Sequence, residues 1–297
     1  MKGSTLTITV MSLLLLATVV FALTLMWGAW PRREPAGASS LPTLGSVPAD
    51  HWRVLADKRV FFGHQSVGSN IIEGVRELAG EHSEIDLRIV ETTDLDSVEG
   101  PGLFHGKIGR NTRPKSKFLA FRRTLEKSKK ATVDIAMLKL CYIDIRWNSD
   151  VQETFEKYVS TMTDLQNSQK NTIYIHSTVP IESKNSSLKK TLKEAIKPLI
   201  GRPGVVDDNR RRQQYNQLIA DTFGGTSIVF DIARYESTGP DGSVPYQREN
   251  GARIRLMDAR YTDDGGHLNA QGRRRVAEQF LIQLAAAANQ AQPAGRQ

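Results

Sequence analysis

The sequence predicts an α/β protein, a parallel β-sheet covered by helices on both faces, preceded by an N-terminal transmembrane helix. Two patterns carry this expectation. Beyond residue 57, short β-preferring runs alternate with amphipathic segments of helical length, and strands joined by such helices pair in parallel with the helices packed on the faces. Ahead of them, Thr5 to Trp30 holds no charged residue. Composition sets the frame: 297 residues, 39% hydrophobic and 7% aromatic, lie in the globular range, which excludes disordered, collagen-like and disulfide-scaffold chains. The single cysteine, Cys141, has no partner for an intramolecular disulfide, so packing must stabilise the fold.

As a helix rising about 1.5 Å per residue, Thr5 to Trp30 spans roughly 39 Å, more than a bilayer's hydrocarbon core. A cleaved signal peptide has a shorter apolar stretch, and the only small-residue cleavage candidate, Ala36-Gly37-Ala38, lies beyond Arg32 and Arg33. Residues 1–30 therefore read as an uncleaved, single-pass signal anchor. Lys2 is nearly balanced by Arg32 and Arg33 across the segment. The short N-terminus before a long domain is the layout that sends the domain out of the cytoplasm. Residues 31–48, with Pro31, Pro35, Pro42 and Pro48, read as an extended linker. Residues 49–288 form the folded domain and 289–297 a polar tail.

Lys58 to Gly63 reads as a strand that feeds directly into a helix over Val67 to Leu78, where Val67, Ile71, Ile72, Val75 and Leu78 share one face. Asp86 to Glu91 reads as a second strand. Thr92 to Pro114 is glycine-bearing and irregular, long enough for a functional loop. Lys115 to Lys129 reads as a helix, Val133 to Leu140 as a third strand, Val151 to Gln169 as a long helix and Thr172 to Ile181 as a fourth strand. Leu188 to Ile200 and Arg210 to Phe223 read as helices, Ser227 to Ile232 as a fifth strand and Gln271 to Ala287 as a closing helix. Ligands of such sheets bind at the carboxyl ends of the strands, so chemistry is expected in the residues that follow them.

The net charge of +8 is scattered through runs such as Arg210 to Arg212 and Arg273 to Arg275. With no nucleic-acid motif beside them, these runs read as solvated helix faces and no nucleic-acid partner is expected. Gly63, Gly68 and Gly74 fit neither the GxGxxG nor the Walker spacing, and no histidine pair has zinc-ligand spacing with a third ligand nearby. No metal and no cofactor are expected. Cys141 reads as a small apolar residue at a strand end.

Ser66 stands just after the first strand, at the N-terminus of the following helix, where unpaired amides and the helix dipole favour a developing negative charge. Serine is equally a preferred N-cap, so its position alone fits a nucleophile or a cap. Asp264 precedes His267 by three residues, ahead of the last helix. An acid so placed can bond the ring in one turn and fix its tautomer while the imidazole takes a proton from a hydroxyl, although this spacing also arises by chance. With the ordered strands and helices between them, these residues make the chain resemble the SGNH hydrolases, the GDSL-like esterases and lipases, over residues 56 to 284. The resemblance implies a flavodoxin-like three-layer α/β/α sandwich with Ser66 as nucleophile, His267 as base and Asp264 as its partner. His176 to Pro180, and Tyr215-Asn216 before a strand ending in Asp231, are similarly placed.

The chain departs from that family in two blocks. Its Gly-Asp-Ser block appears as His64-Gln65-Ser66. Its third strand runs into Leu140-Cys141-Tyr142-Ile143-Asp144, without the asparagine that donates to the oxyanion in relatives. The loop Gly106 to Asn111 offers replacements, the Gly109 amide and the Asn111 side chain. Lys139, Tyr142 and His64 are further candidates, each with an ordinary structural role as the simpler reading. The resemblance and the anchor together lead to the expectation of a membrane-anchored, extracytoplasmic serine esterase acting on acyl esters, O-acetyl foremost, of a small molecule or envelope carbohydrate. One alternative is an O-acyltransferase on envelope carbohydrate that uses the same acyl-enzyme. Another is a non-catalytic carbohydrate- or surface-binding domain, which the missing asparagine favours.

Overall fold

Strand β2 (Arg59–His64) is buried along its whole length and sends Val60 and Phe62 to one apolar cluster and Phe61 to another. A strand that is apolar on both faces must lie inside a sheet covered on both sides. The computed structural model describes residues 31–35, 41–184 and 203–290 and shows such a sheet. In chain order, β1 (Arg32–Pro35), α1 (Ala49–Ala56) and β2 are followed by α2 (Val67–Glu81), β3 (Ile89–Glu91), β4 (Gly102–Lys107), α3 (Pro114–Lys127), β5 (Ile135–Leu138) and α4 (Val151–Ser168). Then come β6 (Ile173–Ser177), α5 (Val205–Phe223), β7 (Val229–Phe230), α6 (Ile232–Ser237), β8 (Ser243–Glu249), β9 (Ala252–Arg255) and α7 (Ala270–Gln290).

The main sheet has six parallel strands in the order β3-β4-β2-β5-β6-β7. From β2 the chain builds β3 and β4 on one side and then β5, β6 and β7 on the other. The order therefore reverses at β2, and the crevice outside its carboxyl end is where such sheets bind ligands. Trp52 and Leu55 of α1, Ile71, Ile72 and Val75 of α2 and Phe280 and Leu284 of α7 pack on one face. Phe118 and Phe121 of α3, Phe155 and Met162 of α4 and Ile219 of α5 pack on the other. This is the flavodoxin-like three-layer sandwich.

Several elements differ from the sequence expectation. The stretch read as irregular between Thr92 and Pro114 contains β4, five of whose six residues are buried, and it pairs with β2 over its whole length. The linker read over 31–48 is in part docked structure. Arg32–Pro35 pairs antiparallel with β8, completing a small sheet in the order β1-β8-β9, and Leu41 and Leu44 are buried in the core. Arg33 reaches the buried carboxylate of Asp258 at 2.8 Å. The arginine runs read as solvated faces are also mixed. Arg212 is 1% exposed and donates to the carbonyls of Tyr142 and Ile145, while Arg273 and Arg274 bond Glu77 and Glu81 across helices.

The anchor read over residues 1–30, the helix read over Leu188 to Ile200 and the end of the polar tail lie outside the described residues. No helix among the described residues is long and apolar enough to cross a membrane.

Candidate active site

Strand β2 ends at His64, and two residues later the chain turns sharply into α2. Ser66 occupies the turn with φ 26° and ψ −92°, a positive φ that a non-glycine residue adopts only at a cost of about 1–3 kcal/mol. Its hydroxyl makes no capping bond to the helix. Oγ lies 2.9 Å from His267 Nε2 instead. The rest of α2 points its positive N-terminal end at this residue.

His267 is held by a turn of its own. Asp264 Oδ2 accepts from His267 Nδ1 at 2.7 Å, and Asp264 Oδ1 accepts the backbone N–H groups of Gly266 and His267, each at 2.8 Å. Thr262 Oγ1 accepts the N–H of Gly265 at 2.9 Å, and Ser183 donates its N–H to the Gly265 carbonyl at 2.8 Å, tying this turn to the loop after β6. Asn269 then accepts the Gly272 N–H at 3.1 Å in the first turn of α7. Burial alone would raise the Asp264 pKa. The bonds from the His267 and Gly266 amides and the imidazole outweigh it and hold the carboxylate well below the usual range. With Nδ1–H donated to Asp264, Nε2 is the nitrogen left to accept the Ser66 proton.

The loop after β4 brings Gly109 beside Gln65. Gln65, the neighbour of Ser66, donates its side-chain amide to the carbonyls of Ile108 and Gly109 at 3.0 and 3.1 Å. Gly109 has φ +61°, and a Cβ there would sit 2.6 Å from the Lys117 backbone, so only glycine fits. Neither the Ser66 nor the Gly109 N–H has an acceptor among the described residues. Asn111 lies on the same loop. Its Oδ1 accepts from Lys117 Nζ at 2.9 Å, within a buried network in which Lys117 also bonds Asp144 and Asp144 accepts the N–H groups of Cys141 and Thr112. Asn111 thus props the loop through Lys117.

Of the substitute donors, Tyr142 lies at the site, with its ring edge-on to His267 at 5.8 Å and its hydroxyl packed on Gly266. Burial pushes its pKa up to about 12, so it stays a neutral phenol. Lys139 and His64 are buried beneath the site. Lys139 Nζ is 3.7 Å from Cys141 Sγ, and His64 Nε2 lies 3.1 Å from His105 Nδ1. His176 bonds Tyr158, Asn216 holds both backbone groups of Val179, and Asp231 accepts the Arg234 N–H at the start of α6. Gln65 escaped the sequence reading. The signal was its place in the atypical nucleophile block, where a side chain with two donors can grip a neighbouring loop.

The sequence matches no protein-family model and no curated protein. Among solved structures it is similar to an acetyl xylan esterase at 17% identity, covering 75% of this chain and 98% of that one with a TM-score of 0.44. It is also similar to a protein of Parabacteroides merdae assigned as a GDSL-like lipase, at 11% identity, 77% and 95% coverage and a TM-score of 0.44. A third is the periplasmic domain of the lipopolysaccharide acetyltransferase of Salmonella ser. Paratyphi A, at 9% identity, 80% and 87% coverage and a TM-score of 0.41. At these scores the functional argument rests on the site itself.

Proposed function

We propose that the chain is an SGNH-type serine ester hydrolase that cleaves acyl esters, acetyl foremost, through Ser66, His267 and Asp264. The observation that carries this reading is the Ser66 hydroxyl, which leaves its helix uncapped and faces His267 Nε2. His267 takes the Ser66 proton as Oγ attacks the ester carbonyl, and Asp264 keeps the ring in the accepting tautomer and stabilises the imidazolium. The Ser66 and Gly109 N–H groups, aided by the α2 dipole, receive the negative oxygen of the tetrahedral intermediate. The imidazolium then protonates the departing alcohol. Water, deprotonated by the same histidine, releases the acid from the acyl-enzyme.

The side chains of His267 and Asp264 are 43% and 55% exposed, so water reaches the acyl-enzyme, and a sugar hydroxyl reaching the same place would give the acyltransferase reaction instead. The uncharged run from Thr5 to Trp30 supports a membrane tether, and the short N-terminus before a long domain is the layout that places the domain outside the cytoplasm. Turnover of 4-nitrophenyl acetate tests the chemistry. Ser66→Ala and His267→Ala are each expected to lower kcat/KM by roughly 10,000-fold or more with folding unchanged. Wild-type turnover that survives Ser66→Ala would sink the reading.

A further inference from the structure

Gly109 and Arg110 also belong to the wall of a second feature, a cleft of about 450 Å³ between the β4–α3 loop and α3. Three cations line it, Arg110, Arg123 and Lys127, and no carboxylate does. None of their side chains has a hydrogen-bond or ion-pair partner among the described residues. On the same helix the other cations are matched: Lys115 with Glu153, Lys117 with Asp144, and Arg122 with Glu126 and Asp164. Arg123 and Lys127 are thus the unmatched cations of α3, and with Arg110 of the preceding loop they line one concavity that shares Gly109 with the Ser66 site.

Three like charges held together without counter-charge raise the local concentration of anions and pair with an oxyanion when one arrives. The rest of the lining says what carries it. Leu119 and Ala120 are too few to hold an acyl chain, whereas the Thr93 and Thr124 hydroxyls suit a hydroxylated molecule. We propose that this cleft binds the carboxylate of an acidic carbohydrate, so that the ester cleaved at Ser66 is carried on an anionic glycan. The reaction part of this inference rests on the esterase reading, while the binding part stands without it.

The test separates the two. The full chain in detergent, carrying Ser66→Ala so that nothing is turned over, is titrated with polygalacturonate and with neutral dextran by calorimetry. Polygalacturonate is expected to bind at least tenfold more tightly, to weaken as NaCl is raised, and to lose at least tenfold in affinity when Arg110→Gln, Arg123→Gln and Lys127→Gln are combined. A control that removes three charges elsewhere, Lys129→Gln, Lys170→Gln and Arg248→Gln, is expected to retain the binding. Equal losses in the two triple variants, or no preference over dextran, would overturn the site. With Ser66 present, the ratio of kcat/KM on acetylated polygalacturonate to that on acetylated xylan is expected to fall at least tenfold in the first triple variant, through KM. Binding without Ser66-dependent turnover would leave the anion site standing and remove the esterase reading.

Discussion

At the scale of single residues, the site is built from side chains whose ordinary roles are visibly unfilled. Ser66 sits where serine caps helices and does not cap. Gln65 spends its amide on the loop that carries Gly109, which makes it a positioning residue for the oxyanion donor proposed there. Gln65→Ala is expected to lower kcat on 4-nitrophenyl acetate by about ten- to a hundredfold with KM little changed, because the loop loses its grip without losing its fold. A change confined to KM or to thermal stability would count against that role. Ser66, Asp264 and His267 were legible in the sequence because a serine after a strand and an acid three residues before a histidine are local patterns. Gln65 was not, since its role depends on a contact with a loop 43 residues further along the chain. Asn111 reads as a donor in sequence, and in the structure its carbonyl oxygen accepts from the buried ammonium of Lys117.

At the scale of elements, the site is assembled by two helices that meet. Ser66 begins α2 and His267 precedes α7, and the two helices pack so closely that a Cβ on Gly74 would lie 2.6 Å from the Arg273 carbonyl oxygen and 2.8 Å from Ala277 Cβ. Gly74→Val is therefore expected to destabilise the protein by about 1–3 kcal/mol in urea unfolding and to lower kcat as α7 shifts. Activity and stability both at wild-type level would show that this contact does not set the Ser66–His267 geometry. The long periodic helices and the apolar strands β2, β5 and β6 were legible because their patterns are strong. Strand β4 was missed because its glycines disguise a buried central strand, which is apolar on both faces and so shows no alternation. The β8–β9 hairpin was missed despite Asn250-Gly251, whose positive φ values of 47° and 80° mark the tight turn. Strand β1 sits in proline-rich chain that reads as a linker, and only its partner β8 makes it a strand.

At the scale of the whole molecule, the layers around the sheet bury three histidines in neutral form. Burial lowers His64 to about 3, and His105 and His176 to about 4, with the charge of Lys139 adding to the effect at His64. The unfolded chain binds protons on these rings below about 6.5, while the native state does so only near 3 to 4. Their contribution to stability is therefore complete above pH 6.5 and is lost as pH falls through about 4, at roughly 3 kcal/mol for a shift from 6.5 to 4. The melting temperature is expected to drop steeply between pH 6.5 and 4, and His176→Phe, which has no proton to take up, should flatten that slope. A flat profile for the wild type would contradict the neutral burial of these rings.

If Ser66 is an activated nucleophile, an alkyl fluorophosphonate should label it, because the serine oxygen displaces fluoride to form a stable adduct. Mass spectrometry of the full chain is expected to show one adduct, mapped to Ser66, absent in Ser66→Ala and formed far more slowly in His267→Ala. An unlabelled chain under conditions that fully label a working serine hydrolase, or an adduct on another residue, would contradict it.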